Sequence, residues 1–498
     1  MGALAAIVSK RPRKASVVSE LIKMLRALRH RGDQIHSIAT DKMTIFAKDL
    51  SELNSFCIDA SPDISDIIIG YNFRQVLRED EPQPVETGNL KVILEGRVYS
   101  PQSTRSEVYR MIEKYGEESI RRIIAETEGS FILTILSGKR LLVGRDAVGA
   151  VPLYFSENEE FLALASERKA LWSIGVRDDS IKPLPPGSMA EVTGNGIMIR
   201  QIKTLEKPEN KWYKDEESIL EELHTLLSES IRERIHNLEG KISVAFSGGL
   251  DSSIIATLLK EAKASTVLVT VGLEGSKEIE HAEKVASGIG LRIKVGIYTV
   301  KDIEEILPRV LWLIERANGL KVSIKIPEYW AAENSSKEGC KAIFFGEGGD
   351  ELFGGYYRYL EEYERALGDI GNKLFLDTVN LYHSLEMSEK ICAFHSLEAR
   401  FPYADYRLAT FALKIPISKK ILSANDPLRK RILRRYAEKI GLPAEVYLRP
   451  KKAIQYGTGV SKALKKIAKK NGLSLQALID NIFRRIVGSV ENSTILFS

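Results

Sequence analysis

The chain has 498 residues, 44% of them hydrophobic and 28% charged, enough to bury more than one core, so two or three domains are expected. A formal net charge of +5 without a clustered basic face excludes the electrostatic footprint of a nucleic-acid binder. Three isolated cysteines, Cys57, Cys340 and Cys392, exclude a disulfide framework or zinc spacing and point to a reducing, cytoplasmic home.

In chain order, the apolar run at residues 1–8 precedes Lys10-Arg11-Pro12-Arg13-Lys14, the reverse of a secretory signal. Ala6 stands where a myristoylation signal wants Ser or Thr, and no apolar span of membrane length follows, so no membrane partner is expected. Short strands are predicted at 4–8, 67–69, 90–94, 131–136, 140–143 and 161–165, with helices near 16–29 and 106–115. An antiparallel, layered α+β domain over residues 1–207 fits that pattern. Pro, Gly, Lys and Glu crowd residues 182–215, and the boundary is placed near 206–211.

A second domain, 208–498, opens with a helical pattern over 216–238. Strands at 241–246, 265–272, 292–297 and 341–345 then alternate with helices, which predicts a doubly wound parallel sheet with ligands at the strand carboxyl ends. Beyond Tyr356 the pattern reads as helical to the end. The basic stretch 462–470 has the spacing of a solvated helix face.

Three stretches carry the chemistry. After the first parallel strand comes Ser247-Gly248-Gly249-Leu250-Asp251-Ser252-Ser253, with an apolar helix expected from Ser252. Bare backbone N–H groups and a helix N-terminus can cradle an anion there, and Asp251 can hold a divalent ion on the same phosphates. A serine-capped strand–turn–helix joint is the plainer alternative. Phe345-Gly346-Glu347-Gly348-Gly349-Asp350 ends another predicted strand and reaches the same crevice. Asp350 is a second candidate magnesium ligand and Glu347 a candidate base, against the alternative of a glycine-bracketed helix cap. Arg449-Pro450-Lys451-Lys452 sits on a Pro- and Gly-punctuated loop whose lysines can meet phosphoryl charge, although a basic surface loop would read the same way.

Together with Leu397-Glu398-Ala399-Arg400-Phe401-Pro402-Tyr403-Ala404-Asp405 and the segment Pro427-Leu428-Arg429-Lys430, these motifs resemble the asparagine synthetase family in order and spacing. The resemblance implies a glutaminase-type (Ntn, class II amidotransferase-like) layered domain joined to a PP-loop ATP pyrophosphatase domain with a helical C-terminal part. It implies that aspartate attacks the α-phosphate of ATP, giving β-aspartyl-AMP and pyrophosphate, and that ammonia then displaces AMP. Carried onto this chain, Ala245, Ser247, Gly248, Gly249, Asp251 and Ser252 bind ATP and pyrophosphate, and Asp251 and Asp350 hold magnesium. Val271 and the Phe345–Gly346 backbone line the AMP, Glu347 takes the ammonia proton and Lys451 stabilises the charged transition state. Phe345 stands where the family often has serine, so contact there is expected through the backbone.

The N-terminal region resembles the family in outline but not in chemistry. Leu28-Arg29-His30-Arg31-Gly32-Asp33, Gln83-Pro84 and Ala165-Ser166-Glu167-Arg168-Lys169-Ala170 keep their places. The nucleophilic cysteine of glutamine-using members is Gly2 here. Glu95-Gly96-Arg97 stands for the family's Asn-Gly-Glu, exchanging a donor for an acceptor, and Arg105 replaces an acid. An inactive glutaminase is expected. The expected activity is therefore ammonia-dependent asparagine synthesis, with ammonia free or supplied by a separate glutaminase subunit. Alternatives are a β-lactam synthetase-like ligase acting on another acid, against which Glu347 speaks, and a non-catalytic regulatory paralogue. The acid substrate and oligomeric state stay open, with a homodimer admissible.

Overall fold

The structure is a computed structural model and describes residues 1–10, 16–53, 66–101, 104–209, 215–365, 367–450 and 454–488. It divides into two compact units, Met1–Thr204 with Asn481–Ser498, and Leu205–Asp480.

The first unit is built from alternation. Along the strand Gly2–Ser9 every residue is buried, yet neighbours point to opposite faces. Ala3, Ala5 and Ile7 pack under the helix Ser16–Ala27. Leu4, Ala6 and Val8 face Ile93, Ile132, Leu141 and Val143 of a second sheet. The far face of that sheet, with Leu94, Leu133 and Ile135, is covered by Val108, Ile112, Ile120 and Ile123 of two further helices. The result is a layered α+β unit with two antiparallel sheets between helices. Among the described residues one sheet has seven strands and the other six, with Gly2–Ser9 between Phe161–Ala165 and Ile67–Phe73 in the first.

The second unit contains a five-stranded parallel sheet in the order Ile293–Tyr298, Thr266–Leu273, Ile242–Ala245, Ala342–Phe344, Glu398–Arg400. Ile242 and Val244 join the core with Ile254 and Ile255 of the helix Leu250–Glu261. Between them Ser243 turns the other way and bonds Ser335 of the helix Gly319–Lys337 at 2.8 Å. Helices thus cover both faces, and the sheet is doubly wound. Strand order reverses between Ile242–Ala245 and Ala342–Phe344, so their carboxyl-end loops open beside one another.

Two expectations need correction. The region beyond Tyr356 is not helical throughout, because Glu398–Arg400 adds a fifth parallel strand paired with Ala342–Phe344. Three residues are too few to show a strand period, and the strand exists through its partner. The helix after the glycine loop begins at Leu250 rather than Ser252, with Gly249 as its N-cap.

Candidate functional site

The first loop is shaped by Gly248, whose φ of +67° lies in the left-handed region that favours glycine. A Cβ at Gly248 would also fall 2.9 Å from His281 Cδ2, and the His281 ring contacts the Gly248 carbonyl at 3.0 Å. Burial holds the His281 pKa below its ordinary value. Ser252 Oγ donates to the Gly249 carbonyl at 3.2 Å and Ser247 Oγ accepts the Gly249 N–H at 3.2 Å, which closes the turn at the start of a 12-residue helix. The first-turn N–H groups of such a helix have no intrahelical acceptor.

The second loop meets the first at Asp251. A Cβ on Gly346 would lie 2.8 Å from Asp251 Cβ, and one on Gly349 would lie 2.6 Å from Asp251 Oδ1. The glycines therefore let two backbones close on one carboxylate. Asp251 and Asp350 then share a single cation. Lys430 Nζ lies 2.7 and 2.6 Å from the two Asp251 oxygens and 2.5 Å from Asp350 Oδ1. Lys430 is buried, and both it and Arg429 take positive φ, 50° and 52°, a costly backbone for side-chain-bearing residues. Two hard carboxylates already gathered round one positive charge form a donor set that suits magnesium.

Glu347 sits in the same loop but in a different environment. Its carboxylate accepts from Lys325 Nζ at 2.9 Å, Ser384 Oγ at 2.6 Å and Ser388 Oγ at 2.7 Å. Burial pushes its pKa up, but Lys325 and the two serines outweigh burial and hold it below the usual carboxylate value.

Of the remaining expected residues, Val271 is buried in the strand Thr266–Leu273, and Ala245 ends the strand that feeds the loop. Phe345 is buried, stacks on Phe401 at 5.7 Å and donates its N–H to the Arg400 carbonyl at 2.9 Å, so that N–H is already used. Lys451 lies outside the described residues. Lys430, Lys325, Glu328 and Ser388 join the site without being among the residues expected there. Lys430 is visible only as the lysine of its short segment, and the other three sit in helices where nothing marks their spacing.

In the first unit the residues at the expected glutaminase positions are tied into ion pairs and hydrogen bonds. Glu95 bonds Arg31 at 2.9 Å and Ser166 Oγ at 2.8 Å. Arg97 bonds Glu79 at 2.8 Å and Asp80 at 2.6 Å, and Arg105 donates to the Gly96 carbonyl at 3.2 Å. At Gly2 a Cβ would fall 2.1 Å from the Asn72 carbonyl oxygen and 2.5 Å from the Tyr71 hydroxyl. A side chain there has no room.

The family model for asparagine synthase matches residues 222–381 and 371–486, together more than half of the chain. The chain belongs to the asparagine synthetase family. The glutamine amidotransferase domain model matches residues 73–173. The chain is 29% identical to a putative glutamine-hydrolysing asparagine synthetase of Methanocaldococcus jannaschii, over 94% of this chain and 96% of that protein. It is 27% identical to the glutamine-hydrolysing asparagine synthetase of Mus musculus, over 70% of this chain and 66% of that one. Among solved structures, Bacillus subtilis glutamine PRPP amidotransferase aligns at TM-score 0.34 and 14% identity, covering 59% of this chain and 65% of that one. An NH3-dependent NAD synthetase from Campylobacter jejuni aligns at 0.26 and 15%, covering 55% and 96%. Membership makes this family protein an ATP-dependent, AMP-forming carbon–nitrogen ligase. Among the described residues no helix is long and apolar enough to cross a membrane.

Proposed function

We propose that this chain makes asparagine from aspartate and ammonia by way of β-aspartyl-AMP, and that it hydrolyses no glutamine itself. The observation that carries the synthetase half is the meeting of Asp251 and Asp350 on one cation beside the glycine loop at the switch point of the sheet. Ser247, Gly248, Gly249 and Ser252 bind the β- and γ-phosphates of ATP, and Asp251 with Asp350 would hold magnesium. That ion would neutralise the leaving pyrophosphate. In this reading Lys430 moves off the carboxylates towards the phosphates when ATP enters. Val271 and the Gly346 backbone line the AMP, and Lys451 meets the charge of the transition state. Glu347 faces the acyl carbon and takes the proton of the incoming ammonia. The lack of space at Gly2 supports the other half, because neither a thiol nor any other side chain fits where a nucleophile belongs. The cytoplasm suits a chain of these substrates.

The test supplies Mg-ATP and aspartate with either ammonium or glutamine. Asparagine, AMP and pyrophosphate are expected with ammonium only. Glutamine-supported synthesis free of ammonia would overturn the inactive glutaminase. Product from another carboxylic acid, and none from aspartate, would transfer the reading to a β-lactam synthetase-like ligase. Asp251→Ala is expected to abolish pyrophosphate release with either acid.

A further inference from the structure

Behind Glu347 lies a buried polar cluster for which phosphate binding has no use. Lys325 and Glu328 sit one turn apart on the helix Gly319–Lys337, and Ser384 and Ser388 one turn apart on the helix Tyr382–Phe394. Lys325 Nζ lies 2.8 Å from Glu328 Oε2 and 2.9 Å from Glu347 Oε1. The Lys325 side chain has no exposed surface and that of Glu328 only 6%, whereas Glu347, at 18%, is the member that reaches the crevice.

The contacts at Ser388 count protons. Its Oγ stands 2.8 Å from Glu328 Oε2, 2.7 Å from Glu347 Oε2 and 2.5 Å from Lys325 Nζ. A hydroxyl has one proton to donate, and an ionised carboxylate only accepts. Both short contacts become hydrogen bonds only when one of the two carboxyls carries a proton. This geometry is thus that of the cluster after a transfer, one proton shared beside one lysine, whereas before a transfer Glu328 is ionised and can accept. Glu328 is the better holder: burial raises its pKa to about 7, while Lys325 and both serines keep that of Glu347 low. Other charges facing the pair are Lys321 on the same helix and Glu351 on the helix Gly349–Phe353. Cys392 faces it from the helix Tyr382–Phe394, its thiol kept neutral by burial. On the neighbouring helix Val300–Ile314, Arg309 is engaged instead with the Tyr329 hydroxyl at 3.3 Å.

We propose that Glu328 is where the proton taken by Glu347 from the attacking ammonia comes to rest, delivered through the Ser388 hydroxyl. This rests on the reading that ammonia attacks an acyl adenylate in front of Glu347. The nitrogen lone pair forms the C–N bond, and the carbon–oxygen bond to phosphate breaks with its electron pair leaving on AMP. One N–H proton passes to Glu347. Glu347 hands the proton at Oε2 to Ser388 Oγ, whose own proton moves to Glu328 Oε2. One proton leaves nitrogen and one arrives at Glu328, which later returns it to solvent. Glu328, Ser388 and Lys325 are positioning residues, since only Glu347 touches the substrate.

The test has two arms on the full chain. Glu351 is also buried with its pKa raised to about 7, so infrared titration of the carboxylic acid band is expected to show two buried carboxyls protonating near neutral pH in the wild type and only one in Glu328→Gln. Single-turnover amide formation from preformed adenylate is expected to slow about 10²-fold in Glu328→Gln and in Ser388→Ala and to lose its inflection near neutral pH. Ser388→Thr, which keeps the hydroxyl, restores both rate and inflection. ATP–pyrophosphate exchange stays within about twofold of wild type in all three, as expected of residues that act after adenylation. A neutral-pH carboxyl band undiminished in Glu328→Gln overturns the relay, as does a wild-type rate and pH profile in that variant. A wild type that forms no amide from ammonium strikes the proposed reaction instead, while the infrared arm still decides whether Glu328 holds the proton.

Discussion

At position 2 the backbone leaves no volume for a side chain. The strand Gly2–Ser9 passes so close to Ile67–Phe73 that a Cβ would overlap the Asn72 carbonyl at 2.1 Å and the Tyr71 ring carbon Cζ at 2.4 Å. Gly2→Cys should therefore destabilise the first unit by about 2 kcal/mol or more, through overpacking, and should gain no glutaminase activity. Denaturant midpoints and glutamate release from glutamine check the two halves; measurable glutamate release would show that the pocket can reopen. The same scale shows what residue reading can find. Asp251, Glu347 and Asp350 stand out because glycines bracket them, and the glycines are there because two backbones press together at Asp251. Lys430 and Glu328 carry no such marking. A lysine and a glutamate on helix-like patterns read as solvated faces, and only the tertiary fold turns Lys430 to Asp251 and Glu328 to Ser388, both partners far off in sequence.

The loop between Ala245 and Leu250 is the element that most directly couples sequence to site. Its glycines are required by conformation at one position and by contact at another. Gly248 takes φ +67° and faces His281, whereas the φ of Gly249 is −81° and its Cβ would meet only Ser247 Oγ, at 3.0 Å. Gly248→Ala should cost about 1–2 kcal/mol of loop stability and displace the His281 ring, lowering kcat/KM for ATP about tenfold or more. Gly249→Ala should be milder. Steady-state kinetics with ATP varied separates them, and equal losses in both variants would contradict the assignment of strain to Gly248. The parallel strands at 241–246, 265–272 and 341–345 are legible for the reason this loop is, apolar runs that end at or within two residues of a glycine, and the one at 292–297 from its alternation of apolar and basic residues. Glu398–Arg400 is not, because its pairing with Ala342–Phe344 is a property of the sheet and not of those three residues.

On the scale of the whole chain, the two units hold opposite kinds of polar chemistry. In the first, buried charges are paired with one another: Arg31 lies 2.9 Å from Glu95 and 3.0 Å from Glu167, and Lys169 also pairs with Glu167. Such a network is satisfied without a ligand, and removing one partner is costly. In the second, the charges at the crevice are arranged round a shared cation and a shared proton, so they have something to exchange with a substrate. Ligand binding should therefore be felt unequally. A ligand that binds only the native state slows local opening by its own binding free energy, about 2.7 kcal/mol at a hundred times Kd. In hydrogen exchange on the full chain, Mg-ATP should protect amides of residues 246–253 and 345–351, while glutamine should protect none in residues 1–204. Protection by glutamine around Gly2, Glu95 and Arg105 would mean that the first unit still recognises the amide it cannot cleave, and the unit would have to be read as a glutamine sensor rather than a filled relic.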